Sequence, residues 1–510
     1  MHLKFFFLFL LIFFLNSAYA QDDFFPQLPE GLGLSNQLEY SYDYKLKQEA
    51  LENWFNLDYR YNIFSAGIRF DIFQPNDPNP AISRGKERYA DIAFKYIDAE
   101  IGDVEKGMKV TAGNFYSLFG RGLILKSYEN RNIRIDNNLL GIKVEGYYAG
   151  LKLIALSGMA ENFIAERKDI LHALDLEYKV FNNLKFGGSF ASNKPDNDGA
   201  KTMIGSLRIQ PSLWNFDFYG EYGLKRNNDI KRNNFFNAAN NIGEAYYMGA
   251  NFYYEQFSLV GEYKYYDNFI FGSNDGTIIY NNPPAVRKEY TYILLNRHPS
   301  PINQNNEKGF QVEANFSFSD ETFLMVNYGE TETLDSDSYY QKILGINQLE
   351  RVQLKESFVQ LNHTWNNDFR TFAAFGYNEE RDANTKNITP ILENHFYIDE
   401  INTIKLIIEH QHTTDRTTTE KYYTDVAALE YLRSPLLSIS FVTEMQTKEP
   451  EKGKTIRRFW NFIQFGYKLG EHSDLSLLIG TRQAGNICIG GVCRYEPEFS
   501  GIEVKMFTRL

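Results

Sequence analysis

His410 and His412 are separated by one residue, the spacing at which two side chains of an extended strand share a face and can share a metal ion. Cys488 and Cys493 are the two cysteines of the chain, joined by Ile489-Gly490-Gly491-Val492, whose glycines let the backbone turn back on itself. A third set lies between Gly113 and Gly141: Arg121, Glu129, Arg131, Arg134 and Asp136, spaced among Gly113, Gly120 and Gly122. Metal binding, disulfide formation and a ring of charge around a pore are the chemistries these types can perform. Which of them each set performs depends on the elements that carry it.

Those elements announce themselves by a period of two. From Gln37 to Lys47, Leu38, Tyr40, Tyr42, Tyr44 and Leu46 fall on one side, and Gln37, Glu39, Ser41, Asp43, Lys45 and Lys47 on the other. A helix would scatter these residues around its circumference, so the run is a strand with one apolar and one polar face. The pattern returns at Leu174, Leu176, Tyr178 and Val180, at Trp214, Phe216 and Phe218, and at Val312, Ala314, Phe316 and Phe318. Ile404, Leu406 and Ile408 repeat it with Ile407 out of step, and Ile502, Val504, Met506 and Leu510 carry it to the end, with Phe507 and Thr508 out of step.

Composition asks what the apolar faces touch. The 510 residues are 43% hydrophobic yet 16% aromatic, with 42 Phe and 35 Tyr. No stretch after Ala20 approaches the eighteen or so consecutive apolar residues of a membrane helix. The start of the chain reads as an export signal: His2 and Lys4, an apolar run from Phe5 to Leu15, and Ala18-Tyr19-Ala20 as the cleavage site, with Gln21 first in the mature protein. No cysteine near that site offers a lipid anchor. An exported chain without a membrane helix can still reside in a membrane if its strands close into a barrel. The net charge of −12 becomes −13 when Lys4 is removed, and this acidity argues against nucleic-acid binding.

The connections sort by length. Short links at Asn182-Asn183, Pro211-Ser212, Glu255-Gln256, Ser319-Asp320, Asn366-Asn367, Asp399-Glu400 and Ser434-Pro435 alternate with long polar ones. The long ones are Met159 to Ile170, Lys225 to Gly243, Asp267 to Asn306, Thr331 to Arg351 and Gln446 to Thr455. Such alternation belongs to an up-and-down outer-membrane barrel with short periplasmic turns and long extracellular loops. The expectation is therefore an all-β fold, a large antiparallel transmembrane β-barrel of roughly 26 strands, within about 22 to 26. Residues 1–20 are the signal peptide, 21–35 a short periplasmic segment and 36–510 the barrel. Part of the stretches Tyr96 to Gly107 and Leu118 to Asn138 can fold inward as a plug or constriction, but a discrete N-terminal plug domain has no room. A soluble sandwich or β-helix would also alternate, but would not sort its loops by length.

The stretch Gly113-Asn114-Phe115-Tyr116-Ser117-Leu118-Phe119-Gly120-Arg121-Gly122-Leu123, with Glu129, Arg131, Asp136, Asn137 and Gly141 after it, resembles a family of uncharacterised Bacteroidota outer-membrane barrels classed as a domain of unknown function. The ending Gly490-Gly491-Val492-Cys493-Arg494-Tyr495-Glu496-Pro497-Glu498-Phe499-Ser500-Gly501 carries the same resemblance. It implies location and architecture over most of the mature chain, and brings no catalytic residue with it.

On this scaffold the charges Arg121, Glu129, Arg131, Arg134 and Asp136 have two readings, a lumen constriction or a structural turn whose charges pair with one another, and the second is the simpler. Cys488 and Cys493 are expected to form a disulfide in an outside loop, since no CxxC pair or histidine cluster accompanies them. His410 and His412 fall on the apolar face near a strand end, where an interfacial role is simpler than a metal. His172, His298 and His395 form no local constellation. Tyr253-Tyr254, Tyr263, Tyr265-Tyr266, Tyr422-Tyr423 and Phe459-Trp460 read as girdles at the lipid boundary rather than sugar platforms. No nucleophile motif or cofactor site stands out.

The partners expected are the lipids of a Gram-negative outer membrane and a solute in the lumen. A porin-like channel or transporter leads; a non-transporting surface or assembly barrel that binds proteins or glycans through its loops is the alternative, and an outer-membrane enzyme the weakest.

Overall fold

The computed structural model describes residues 28–73, 89–133, 135–161, 169–194, 201–227, 241–273, 276–298, 301–334, 352–381, 383–448, 455–489 and 492–510. Twenty-four strands form one antiparallel sheet. It closes because the strand Leu32–Asp43 pairs with Gln48–Tyr61 on one side and with Phe499–Arg509 on the other. Closure leaves no unpaired edge, the condition for a sheet to sit in hydrocarbon. The strands run from 10 residues in Phe64–Phe73 to 15 in Val352–Asn366, enough for a tilted crossing, which takes about 9–11.

The sequence period sets which side each residue faces. In Ile170–Phe181, Ile170, Leu174 and Leu176 are exposed on the outside, while Leu171, Ala173 and Asp175 are buried inside. Outward apolar side chains recur around the ring, among them Leu207, Ile142, Met248, Val359, Leu392, Ile408 and Phe441. This exterior is apolar and the interior carries the charges, the form of an outer-membrane barrel.

Tight turns close one rim. Asn62, Trp214 and Glu255 adopt positive φ of 53°, 54° and 49° at the first position of two-residue links, the backbone that matches the twist of a hairpin. The link expected at Pro211-Ser212 lies instead at Trp214-Asn215, because Thr202–Leu213 continues past the proline. The ladder to the next strand skips Gln210 and Pro211, where no amide hydrogen of the proline is available. Leu32 and Arg509 lie at this rim of short turns.

The count of 24 lies within the expected range of about 22 to 26, and part of the chain leaves the wall. Ser117–Leu118 pairs with Lys126–Ser127, and Glu129–Asn130 with Ile135–Asp136, as two small ladders outside the main sheet. The hairpin of Gly485–Ile489 and Val492–Glu496 is separate as well. Asp267 to Asn306, expected as an outside loop, is also different: Phe269, Phe271, Tyr280, Tyr292, Leu294 and Leu295 are buried, and a single helical turn, α1, spans Ile293–Asn296. Two inserts, whose described residues are 116–133 with 135–138, and 268–273 with 276–298 and 301–305, thus fold against the inner wall.

Candidate functional site: the occupied half of the lumen

Burial of the inward residues divides the lumen by height. Towards the long connections, Glu221, Lys225, Lys264, Glu307, Thr331, Glu409 and Gln411 are buried. Towards the short turns, the inward Asn251, Asn315, Gln360, Lys405, Gln464 and Lys505 keep solvent contact. The inserts fill the first half, and the second is a polar cup.

The first insert is held by a dry contact. Phe119, Leu123, Ile124 and Leu125 are wholly buried with Phe269, Phe271 and Tyr280 of the second insert, against Leu139, Leu171, Ala191, Ile204 and Ala245 of the wall. Each large side chain buried this way contributes about 1.5–3 kcal/mol, whereas the attraction of a buried ion pair is largely offset by the desolvation of its two charges. The apolar cluster therefore dominates this attachment. Gly223 makes room for it, since a Cβ there would lie 2.5 Å from Phe269 Cζ.

The charges of the first insert meet a part of the wall that the sequence reading missed. Arg69 reaches Glu129 with Nη1 at 3.0 Å and Asp136 with Nη2 at 2.5 Å, and its Nε lies 2.9 Å from Asp71. Arg131 pairs with Glu129 at 2.8 Å, donates to Gln37 at 2.9 Å and lies over the Trp54 ring at 4.7 Å. Burial pushes the Asp136 carboxyl up, but Arg69 and the side chain and amide of Asn138 outweigh it and hold it below the ordinary carboxylate range. Glu129, Arg131 and Asp136 are brought together as mutually paired charges. The signal for Arg69 and Asp71 was their place between Ile68, Phe70 and Ile72 on a two-faced strand.

The second insert crosses the lumen as a strap, 286–298, clamped by six glutamates from six strands. Lys288 Nζ donates to Glu313 at 2.6 Å, and Tyr290 OH to Glu356 at 3.3 Å. Tyr292 OH donates to Glu393 at 3.0 Å. Glu409 accepts from the amides of Ile293 and Leu294 at 2.9 and 2.8 Å, satisfying donors that open α1. Arg297 is gripped by both oxygens of Glu444, and His298 faces Glu380 at 3.2 Å and Gln411 at 2.8 Å. Burial, then the adjacent carboxylates, push the Tyr290 and Tyr292 phenols up, keeping them neutral donors. Leu294 and Leu295 add small apolar contacts with Val426, Val442, Ala374 and Ile391. Ile407, out of step in the sequence, points inward against both.

The remaining expected residues scatter. Arg121 stands apart from the other charges, its guanidinium 5.2 Å over the Tyr219 ring, and Arg134 lies outside the described residues. Cys488 and Cys493 are direct partners in their hairpin; their side chains lie outside the described residues. His410 and His412 are on the outer face, their rings 5.7 and 5.0 Å from that of Tyr423, with His410 Nδ1 2.6 Å from Asp425. Among the described residues, no group of three His, Cys, Asp or Glu could hold a metal. The aromatic runs divide between the faces: Tyr253, Tyr254, Tyr263, Tyr423 and Phe459 are exposed, whereas Tyr266 and Trp460 are buried. Tyr266 OH donates to the carbonyl of Pro284 and so helps hold the second insert.

No curated protein matches the chain. Among solved structures it is similar to the translocation pore of the P pilus usher PapC, at 9% identity and a TM-score of 0.47 over 94% of this chain and 99% of that one. It is similar to the copper transporter OprC at 10% and 0.47, over 96% and 82%, and to the siderophore receptor PirA from Pseudomonas aeruginosa at 9% and 0.44, over 95% and 81%. Resemblance at this level carries no inference about function. The Family of unknown function (DUF6029) matches residues 1–510, and the chain belongs to that family.

Proposed function

We propose that this protein is an outer-membrane channel or transporter for solutes, exported by a signal cleaved after Ala20, whose passage is controlled by the two inserts. One observation carries the reading: the polar inner wall is continuous around a closed ring, but is occupied over one half of its height and wet over the other. The strap is also held in a way that permits release. Its main contacts are ionic and hydrogen-bonded, and buried ion pairs contribute little net stability once desolvation is counted. Asn327, opposite Glu313 and Phe358 in the ladder beside Lys288, is buried with neither amide atom hydrogen-bonded. A buried polar group left in this state costs about 1–3 kcal/mol and weakens the docked arrangement.

Planar-bilayer recording of the purified full chain tests this. Reproducible unitary steps in the wild type are expected, with a higher open fraction in Glu444→Gln, which loses the charge gripping Arg297. Silence in both, from protein whose heat-modifiable migration shows a folded barrel, would overturn the reading. The occupied half of the lumen supports a second one, a non-transporting assembly barrel, and a stable copurifying partner together with that silence would favour it.

A further inference from the structure

We propose that Arg121 is the recognition residue of a lumenal site for a small anionic solute bearing a carboxylate or phosphate group. This rests on reading the lumen as a solute route. The other arginines described in the inserts meet carboxylates: Arg131 meets Glu129, Arg297 meets Glu444, and Arg287 lies 4.0 Å from Glu356. Arg121 is exposed and, among the described residues, has no carboxylate within ion-pair distance, although one lies beside the preceding glycine. A Cβ on the adjacent Gly120 would lie 2.9 Å from Glu221 Oε2. Glu221 is instead satisfied by Ser206 Oγ and Tyr219 OH, each donating at 2.6 Å. The guanidinium rests over the face of Tyr219, an arrangement that leaves its N–H fork free for a planar or tetrahedral oxyanion.

The turn that presents it is fixed. Gly120 and Gly122 have φ of +53° and +87°, which side chains rarely adopt, and a Cβ on Gly122 would lie 2.6 Å from the carbonyl of Asn282. On either side Phe119 and Leu123 are wholly buried. The exposed arginine is therefore held between two dry anchors rather than on a mobile loop. Its partner Tyr219 belongs to Phe216–Asn227, on the side of Glu221 that leads to the short turns, so the guanidinium looks into the polar cup.

Titration calorimetry of the detergent-purified full chain with inorganic phosphate and, separately, with citrate tests the site. Saturable binding of at least one probe is expected. Arg121→Gln should weaken it about tenfold or more, the loss of one charge-assisted contact. Tyr219→Leu, which removes both the ring under the guanidinium and the donor to Glu221, should lose part of it. Binding of phosphate alone assigns a phosphate, and of citrate alone a carboxylate. Equal affinity in wild type and Arg121→Gln, both with normal heat-modifiable migration, would overturn the proposal, as would no binding of either probe. Arginine-dependent binding to a barrel that passes no current would leave the site standing and remove the solute route.

Discussion

Leu295 lies over Gly376 so closely that a Cβ on the glycine would be 2.5 Å from Leu295 Cδ2. The glycine is in the wall strand Phe369–Glu380, and the leucine in α1 of the strap. Gly376 is thus a socket. Gly376→Val fills it while leaving a residue that a strand accepts readily. The docked strap should lose about 1–3 kcal/mol to overpacking. Limited proteolysis should then cut within 286–298 while the barrel keeps its heat-modifiable migration. Unchanged protection would show that the contact does not hold the strap.

Glu409 is the single acceptor for two strap amides. Glu409→Ala leaves the amides of Ile293 and Leu294 without it, at about 1–3 kcal/mol for buried groups left unsatisfied. Hydrogen exchange should accelerate at these two amides in Glu409→Ala, and less in Glu409→Gln, whose amide oxygen still accepts. Equal exchange in all three proteins would remove this role.

The Asp136 contacts give the first insert a pH dependence of definite sign. The docked carboxyl is held below the ordinary range, so its stabilisation is complete above about pH 4, the value of a free aspartate, and is lost as pH falls through the lower docked value. Protection of 135–138 should fall in acid below about pH 4. Asp136→Asn should lack the acid step; an unchanged step in that variant would place the titration elsewhere.

Cys488 and Cys493 face one another across antiparallel strands. Opposed residues of such a ladder have Cα atoms about 4.5–5.5 Å apart, inside the range a disulfide spans. We propose that they are joined in the oxidising compartment beyond export. Thiol labelling of the unreduced protein should find no free cysteine, and reduction should loosen the hairpin without opening the barrel. Full labelling before reduction would exclude the bond.

The wall was legible because its rule is local. Leu38 to Tyr42 needs a period of two and nothing else to place its two tyrosines opposite Gln37, Glu39 and Asp43, although the strand stops at Asp43 and the rest of that alternating run, 44–47, turns to the next strand; the length sorting of the connections supplied the up-and-down order. Even the exceptions carried information: Ile407 broke the pattern because it touches the strap. The charges Glu129, Arg131 and Asp136 were visible as a group, but Arg69 was not, since its partners are distant in the chain.

The sequence by itself determined a closed, two-faced barrel with its charges inside, because side-chain direction in a strand follows from parity. Only the tertiary structure decided that 268–305 turns inward rather than out. That choice depends on Arg297 meeting Glu444, on Leu295 finding the space above Gly376, and on Phe269 finding that above Gly223. Each is a meeting between residues far apart in the chain, on a surface that exists once the ring has closed, and no local period encodes it.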